Sequence, residues 1–199
     1  MTGNNIRYKV EFFDLWHTGS GLAAGADVDA LVIKDKDNLP YIPGKTMKGL
    51  VREALETILH LRNDADGLLK VEANFGLLKE KKKSDDAESE FEMIRGEVFF
   101  KNAVLSQTLR KAIVANEHMH RYMYQSISST AIKDGIAKEH SLRRTEVSIP
   151  ATLYGEILNV DGAIVEHVKE ALSFIKRLGV GRNRGLGRCE FTILKEDEV

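Results

Sequence analysis

Residues 42–61 read IPGKTMKGLVREALETILHL, a stretch that leads from a short predicted hairpin at residues 31–42 into an amphipathic helix. The pattern predicts a helix from about Lys45 to Leu61. Its apolar residues recur at helical spacing and share one face, which is the signature of a helix packed on a core. These residues are Leu50, Val51, Ala54, Leu55, Ile58 and Leu59.

Strand patterns lie on both sides of this helix. Residues 6–16 alternate apolar and polar side chains, and so do residues 148–160 and 189–193. Residues 94–100 predict one more strand. A second amphipathic helix follows Asp161, and Gly179 is placed to be its C-cap. The predicted order is therefore strand, helix, strand, strand, helix, strand.

This βαββαβ order is the split βαβ arrangement of ferredoxin-like and RRM-like folds, so we expect an α+β protein. We expect residues 1–199 to form a single domain, with insertions at about 17–43, 63–92 and 103–147. The first holds a loop and the hairpin, and the last contains a polar arm at about 125–147. The aromatic RNA-recognition signature is missing, which disfavours a reader that stacks bases on its sheet.

The composition excludes several classes of protein. The chain has 199 residues, of which 43% are hydrophobic and 30% charged, as in an ordinary globular domain. Its formal net charge of −1 argues against a generally basic surface, although a local basic stripe is compatible with it. One cysteine allows no internal disulfide, and no segment resembles a membrane span or a signal peptide. We therefore expect a cytoplasmic protein that does not bind membranes.

Three basic residues lie near the start of the first predicted helix. Lys45, Lys48 and Arg52 are at positions i, i+3 and i+7, which brings them to one side of the helix. Cations are disfavoured at this end because the helix dipole is positive there. The cluster is better explained if an anion such as phosphate binds among them.

A second basic motif, GVGRNRGLGR, occupies residues 179–188 and contains four glycines and three arginines. Glycine allows positive φ and close backbone approach, so such a loop can surround a phosphate while arginines neutralise it. The alternative is an ordinary turn before a strand, with its arginines in solvent. The first basic cluster makes the phosphate interpretation stronger.

Three segments together resemble the RAMP superfamily of CRISPR-associated proteins, and most closely the Cas-seven backbone subunits of type III complexes (the Csm-three and Cmr-four group). They are the histidine-glycine turn at residues 16–21, the signature from Asp29 through the hairpin to Gly49, and the loop at 179–188. Weaker similarity occurs at 75–76, 95–98 and 141–146. The chain departs from the family where Lys45-Thr46 replaces two small hydroxyl residues, and in a charged insertion at 79–90.

The resemblance implies a set of partners. Backbone subunits bind a crRNA guide through sugar and phosphate contacts, assemble as repeated copies along it with other subunits, and insert a thumb-like hairpin between guide and target RNA. The arm at about 125–147 lies where the thumb is expected. The resemblance also implies that Asp29 is the catalytic residue of a metal-dependent endoribonuclease acting on target RNA, and a ligand of a divalent cation, Mg²⁺ being the expected ion.

The resemblance and the two basic motifs together assign RNA contact to a set of residues from three regions of the chain. For His17 a structural role after the first strand remains an alternative, since isolated histidines often have one. The assigned residues are His17, Lys45, Thr46, Lys48, Arg52, Gly181, Arg182, Arg184 and Arg188.

Other functions fit the same sequence. One alternative is a scaffold subunit that binds RNA without cutting it, and another is a Cas-six-like endoribonuclease that processes the guide precursor, since that relative also carries a C-terminal glycine-rich loop. A ferredoxin-like module unrelated to RNA is a further alternative.

Overall fold

The computed structural model describes residues 3–23, 28–81, 90–116 and 118–195. Its strands and helices alternate irregularly along the chain. In chain order they are β1 (Asn4–Phe12), α1 (Gly44–Leu61), α2 (Ala65–Phe75), β2 (Gly76–Lys81), β3 (Glu90–Arg95), β4 (Phe99–Phe100), β5 (Val104–Leu105), α3 (Gln107–Val114), α4 (Met119–Tyr122), β6 (Tyr124–Ser129), β7 (Ile132–Lys133), β8 (Ile136–Ala137), β9 (Arg143–Ser148), β10 (Thr152–Val160), α5 (Val165–Phe174) and β11 (Cys189–Ile193).

The main sheet is antiparallel, with strand order β11-β1-β10-β4, and β5 also pairs with β10. In the central strand, Val10 pairs with Leu153 on one side and with Phe191 on the other. Alternate residues of β1 are buried, as the period of two predicts. The predicted α+β class is confirmed.

The first predicted helix is confirmed as α1, whose start is held by backbone groups. The carbonyl of Pro43 accepts hydrogen bonds from the N–H groups of Thr46 (2.9 Å) and Met47 (3.1 Å). The buried faces of α1 and α5 share one hydrophobic core with the inward residues of β1. Tyr8, Met47 and Leu172 are each fully buried in it.

The second predicted helix begins where expected but ends earlier. Asp161 accepts a hydrogen bond from the N–H of Ala163 at 2.8 Å, which starts a short 3-10 turn before α5. The expectation that Gly179 is the C-cap is wrong, because α5 ends at Phe174 and Ile175 is already extended. Gly179 packs elsewhere, against the segment after β1.

The predicted strand at 94–100 is only partly correct. Residues up to Arg95 belong to β3, which pairs with β2 in a separate hairpin, and only Phe99–Phe100 join the main sheet. Alternation continues through Gly96 in the sequence, so local pattern alone does not separate the two strands. Helix α2, which Asp64 caps by accepting from Gly67 N–H at 2.9 Å, was not predicted. Residues 82–89 of the charged insertion lie outside the described residues.

The polar arm is a β-hairpin. Strand β6 pairs with β9 from Tyr124↔Ser148 to Ser129↔Arg143, and β7 and β8 form its tip. The predicted exposure of this arm is confirmed at its tip, where residues 128–140 are all exposed. The segment before the arm contains two short helices, because α3 ends at Val114 and α4 covers Met119–Tyr122. Within the described ranges, no helix is long and apolar enough to cross a membrane.

A steric test of the sheet is available at Gly155 of β10. A Cβ at this position would lie 2.4 Å from the Tyr8 hydroxyl oxygen and ring Cζ. Since Tyr8 is fully buried and central to the core, its ring has little room to move. We expect Gly155→Ala to lower the free energy of unfolding by about 1–3 kcal/mol, as overpacked cores do.

The measurement is urea unfolding of both proteins, with Gly162→Ala as the matched control. A Cβ at Gly162 would meet its nearest atom, Asn4 Nδ2, at an ordinary 3.6 Å. Equal midpoints for Gly155→Ala and wild type would contradict the packing described for β1 and β10.

Candidate nucleic-acid interface

Two of the predicted motifs meet in one cleft of about 340 Å³. Its walls come from the segment after β1 (residues 17–19), the N-terminal part of α1 (Lys45, Thr46, Gly49 and Leu50) and the start of the glycine-rich loop (residues 178–180 and Arg182). The second and third of these segments are separated by more than 120 residues of sequence, so only the fold brings them together.

The glycine-rich loop is held against His17 by its backbone. The N–H of Val180 donates to the His17 carbonyl at 2.8 Å, and a Cβ on Gly179 would lie 2.4 Å from that same oxygen. At the other end, the N–H of Leu178 donates to the Gly187 carbonyl at 2.9 Å. Gly179 and Gly187 have φ of +99° and +69°, so the predicted use of positive φ is confirmed.

His17 is buried, with 1% of its surface exposed. Its Nδ1 donates to the backbone carbonyl of Glu146 at 2.6 Å, which places a proton on Nδ1; in the neutral ring Nε2 is then an acceptor. Nε2 faces Gly19 at the edge of the cleft, where a Cβ would be 3.2 Å away. His17 therefore has a structural role, and Nε2 is the atom that could accept a hydrogen bond from RNA.

The cations of the cleft are accessible. Lys45 and Thr46 are exposed. Arg182 donates to Glu53 Oε1 at 3.2 Å, but the exposed fractions of these side chains, 41% and 60%, make this a weak pair that an anion can replace. The first turn of α1 contains no acidic residue. The cleft thus combines two cations with the positive end of a helix dipole.

The backbone donors at the start of α1 are largely occupied. The N–H of Gly44 donates to Asn102 Oδ1 at 2.8 Å, and those of Thr46 and Met47 donate to Pro43. An anion in this cleft would therefore be bound mainly by side chains and by the field of the dipole.

Lys48 and Arg52 are not brought into the cleft. Arg52 Nε contacts Glu56 Oε1 at 2.7 Å and its Nη1 donates to the Gly76 carbonyl at 2.9 Å, so its guanidinium lies toward the β2–β3 hairpin. The Lys48 ammonium lies 6.0 Å from the centre of the Phe75 ring. Burial, together with the charge of Arg52, lowers the Lys48 pKa. RNA contact by these two residues remains a prediction, at a site separate from the cleft.

The remaining arginines of the loop diverge. Gly181, at φ +76°, begins a 3-10 turn over Arg182–Arg184. Arg184 lines a second cavity beside the arm. The Arg188 guanidinium carbon lies 5.6 Å from the centre of the Phe13 ring, a cation–π contact. The loop therefore presents its cations to different parts of the surface.

Asp29 is fixed on the root of the arm. Its N–H donates to the Arg144 carbonyl at 2.8 Å, and its Oδ2 accepts from the Arg144 N–H at 2.7 Å. Ala30 and Thr145 form an adjacent parallel bridge. The exposed Asp29 side chain is thus held beside β9 by contacts to the backbone of position 144, which any residue except proline could make.

Glu146 was not predicted as a site residue, yet it joins the parts of this region. Its carboxylate accepts from the N–H of Val32 at 3.0 Å and from Lys34 Nζ at 2.8 Å. Its backbone N–H donates to the Ala30 carbonyl at 2.9 Å, and its carbonyl accepts from His17. Residue spacing carries no signal for these contacts, because they depend on the arm packing against the segment 28–34.

Whether this region can hold a divalent cation depends on the carboxylate of Asp29. Across the described ranges, no group of three His, Cys, Asp or Glu side chains is arranged to hold a metal ion. Asp27, the neighbouring carboxylate, lies outside these ranges. Mg²⁺ commonly binds one or two carboxylates together with substrate phosphates and water. A single carboxylate such as Asp29 fits this ion only when RNA supplies the other ligands.

Comparison with known proteins identifies the family. A sequence profile of the RAMP superfamily matches residues 9–190, a span that includes the cleft, Asp29 and the arm. The chain belongs to the RAMP superfamily. No curated protein matches the sequence of this RAMP chain.

Solved structures share the fold of this RAMP chain. A chain of the cryo-EM structure of type III-B Cmr-beta bound to cognate target RNA superposes with a TM-score of 0.61 at 9% identity, covering 96% of this chain and 98% of that one. A chain of the apo-state cryo-EM structure of type III-B Cmr-beta gives 0.65 at 11% identity, with the same coverage. The likeness extends over nearly the full length of this chain and of each matched chain.

The contacts of Glu146 lead to a testable expectation. Removing its carboxylate in Glu146→Ala takes away a charged hydrogen bond of about 1.5–3 kcal/mol from the Val32 N–H. We expect the backbone amides of residues 28–34 to exchange with solvent at least about 10-fold faster, since 1.4 kcal/mol is a factor of ten in an opening equilibrium.

Native-state hydrogen exchange read by mass spectrometry measures this change. Glu146→Gln is the matched control, because one amide oxygen can keep the Val32 bond while the Lys34 ion pair is lost. Unchanged exchange at 28–34 in Glu146→Ala would mean that the carboxylate does not hold this segment.

Proposed function

We propose that this RAMP chain is a backbone subunit of a type III CRISPR effector complex, which binds the crRNA guide and cuts target RNA paired with it. The observation that carries the proposal is the convergence of Lys45, Thr46 and Arg182 in one cleft, on a fold shared over its full length with chains of type III-B Cmr-beta structures. The chain order of β1, α1, β4, β10, α5 and β11 supports the split βαβ arrangement that this function implies.

The cleft suits a sugar–phosphate backbone better than a base. Its two accessible cations are on different elements, so they can contact the phosphates of one RNA backbone from two sides. His17 Nε2, as an acceptor, matches a donor such as the ribose 2′-OH, which distinguishes RNA from DNA. The proposal therefore assigns guide binding to the cleft, without sequence reading.

Cleavage is proposed at Asp29. Oδ2 is held by the Arg144 N–H, which leaves Oδ1 to receive the proton of the target 2′-OH. The 2′-oxygen then bonds to phosphorus as the bond from phosphorus to the 5′-oxygen breaks, and that oxygen takes a proton from water. The products are a 2′,3′-cyclic phosphate and a 5′-hydroxyl. Assistance of this kind accelerates a reaction by about 10²–10⁴. In the alternative arrangement, Asp29 would hold Mg²⁺ instead of taking the proton itself, and the ion would neutralise charge on the phosphate.

The arm and the remaining partners complete the proposal. The exposed tip carries Ile132 and Ile136, which are 73% and 74% exposed and therefore available to contact bases. We infer that this tip separates guide from target and that further copies of the chain, with other complex subunits, occupy successive stretches of the guide.

A scaffold that binds RNA without cutting it is the second candidate. The observation in its favour is that Asp29 has no acidic cluster around it among the described residues. Guide processing is a weaker candidate, because the signature that runs from the hairpin into α1 and ends at Gly49 favours a backbone subunit. Incubation of the isolated chain with repeat RNA tests it, since a processing enzyme acts alone.

Guide binding is tested by removing both cations of the cleft. We expect Lys45→Gln combined with Arg182→Gln to weaken binding of single-stranded RNA and to reduce the slope of log K against log salt by about 1.4, at 0.7 per phosphate contact. Fluorescence anisotropy over a range of salt concentrations measures both. Lys9→Gln combined with Lys111→Gln is the control with equal charge change, and equal slopes for the two double variants would refute the cleft as the binding site.

Cleavage is tested by Asp29→Asn in the reconstituted complex. The asparagine oxygen can still accept from the Arg144 N–H, so the loop is expected to stay in place. We expect target cleavage to fall by at least about 10²-fold, with guide binding unchanged, because the amide is no longer a base or an anionic ligand. Gel analysis of labelled target measures the rate, and EDTA is expected to stop wild-type cleavage.

The matched control for cleavage is Asp66→Asn, which removes an exposed carboxylate of α2. Full cleavage activity in Asp29→Asn would reject the catalytic assignment and support the scaffold function.

A further inference from the structure

A second concave site lies between the arm and the glycine-rich loop. This cavity of about 530 Å³ is lined by residues 129–131, residues 138–141, Arg143 and Arg184. Three exposed cations contribute to it, Lys138, Arg143 and Arg184. Among the residues that line this cavity, only Glu139 carries a carboxylate. The site is therefore positively charged in a chain whose formal net charge is −1.

The three cations are available to a ligand. In the part of the chain that the structure describes, the ion pairs within 4.0 Å involve none of them. Several other arginines among the described residues do have carboxylate partners, such as Arg110 with Asp37 at 2.7 Å. Unpaired cations that converge on one concave surface repel each other unless an anion binds between them.

The cavity has a built frame. The Ser141 hydroxyl donates to the Lys138 carbonyl at 2.6 Å and accepts from the Ala131 N–H at 3.1 Å. Thr130 Oγ1 lies 2.7 Å from the same hydroxyl, and the Lys138 N–H donates to the Ala131 carbonyl at 2.8 Å. These hydrogen bonds join the two sides of the arm near its tip, so the backbone at Lys138 is fixed relative to residues 129–131.

The glycine-rich loop connects this cavity to the cleft. Arg182 lines the cleft and Arg184 lines the cavity, at the two ends of one 3-10 turn. Glycines in the left-handed region flank the turn, Gly181 at φ +76° and Gly185 at φ +89°. An extended polyanion bound in the cleft can therefore continue over the turn and meet a second group of cations.

We propose that the cavity formed by Lys138, Arg143 and Arg184 is a second phosphodiester-binding site of this chain. The inference rests on the proposed function. Arginine and lysine together suit a phosphodiester, because a guanidinium can bind two of its oxygens while an ammonium supplies a point charge. The phosphodiester belongs either to the guide or to the paired target strand, and two experiments distinguish these sources.

The test compares two triple variants of the full chain. The first is Lys138→Gln, Arg143→Gln and Arg184→Gln. The control, with equal charge change, is Lys9→Gln, Lys36→Gln and Lys111→Gln, which lie outside both sites. Since the three cavity residues are exposed, both variants are expected to melt at the wild-type temperature.

In the first experiment, labelled single-stranded RNA is titrated with each protein over a range of salt. In the second, labelled complementary RNA is added to protein already saturated with guide. We expect the cavity variant to bind about 10- to 100-fold more weakly in one of them, with a salt slope smaller by about 2. A loss in the first identifies a guide phosphodiester, and a loss confined to the second identifies a target phosphodiester.

The outcomes separate this inference from the function on which it rests. If the cavity variant matches the control in both experiments while Lys45→Gln with Arg182→Gln loses affinity, the second site is refuted and the cleft stands. If the wild-type chain binds no RNA, the proposed function fails and the inference fails with it.

Discussion

The arrangement of this protein depends on the buried imidazole of His17 and the backbone around it. The ring donates to the carbonyl of Glu146 at the root of the arm, and the His17 carbonyl accepts from Val180 of the glycine-rich loop. The next residue toward the N-terminus, Trp16, exchanges backbone hydrogen bonds with Ser148 on both its N–H and its carbonyl. A short segment after β1 thereby holds the arm on one side and the glycine-rich loop on the other. Burial makes these bonds costly to lose, since each leaves a polar group without water.

The charges of the protein are arranged locally. With nearly equal numbers of acidic and basic residues, its overall field does not attract a polyanion. Attraction depends on cations kept apart from carboxylates, as in the cleft with Lys45 and the cavity with Arg143 and Arg184. Elsewhere cations are neutralised, as Lys101 and Arg7 are by Glu156, and these partners hold the pKa of that carboxyl below its usual range. RNA binding by this chain is therefore expected to be confined to a track and to be sensitive to salt.

The proposed chemistry uses few groups because RNA supplies its own nucleophile. What the protein adds is placement of one carboxylate, Asp29, at the root of an arm that is proposed to separate two strands. Backbone contacts to Arg144 and the carboxylate of Glu146 fix the segment that carries it. Correct positioning of the reacting groups removes a large part of the activation barrier in such a reaction. A scaffold subunit would need the same frame, which is why the substitution at Asp29 separates the two functions better than any structural comparison.

Much of the fold follows from local pattern. Helix α1, strands β1, β10 and β11 and the start of α5 were predictable, because burial of one face imposes a period that the sequence displays. Helix α2 was missed although Asp64 precedes apolar residues at helical spacing, and the strand at 94–100 was joined across a boundary between two sheets. For the site, the two basic motifs and Asp29 were found from sequence and resemblance.

The sequence by itself determined the composition of the glycine-rich loop, the cations of α1 and the class of the fold. These are properties of neighbouring residues, and neighbours constrain one another through backbone geometry. Only the tertiary structure decided that Lys45 and Arg182 share a cleft while Arg52 is drawn to the Gly76 carbonyl, and that Glu146 joins His17 to the segment of Asp29. Those contacts connect residues distant in the chain, and their partners are selected by packing and by the need to satisfy buried polar groups, which no local spacing encodes.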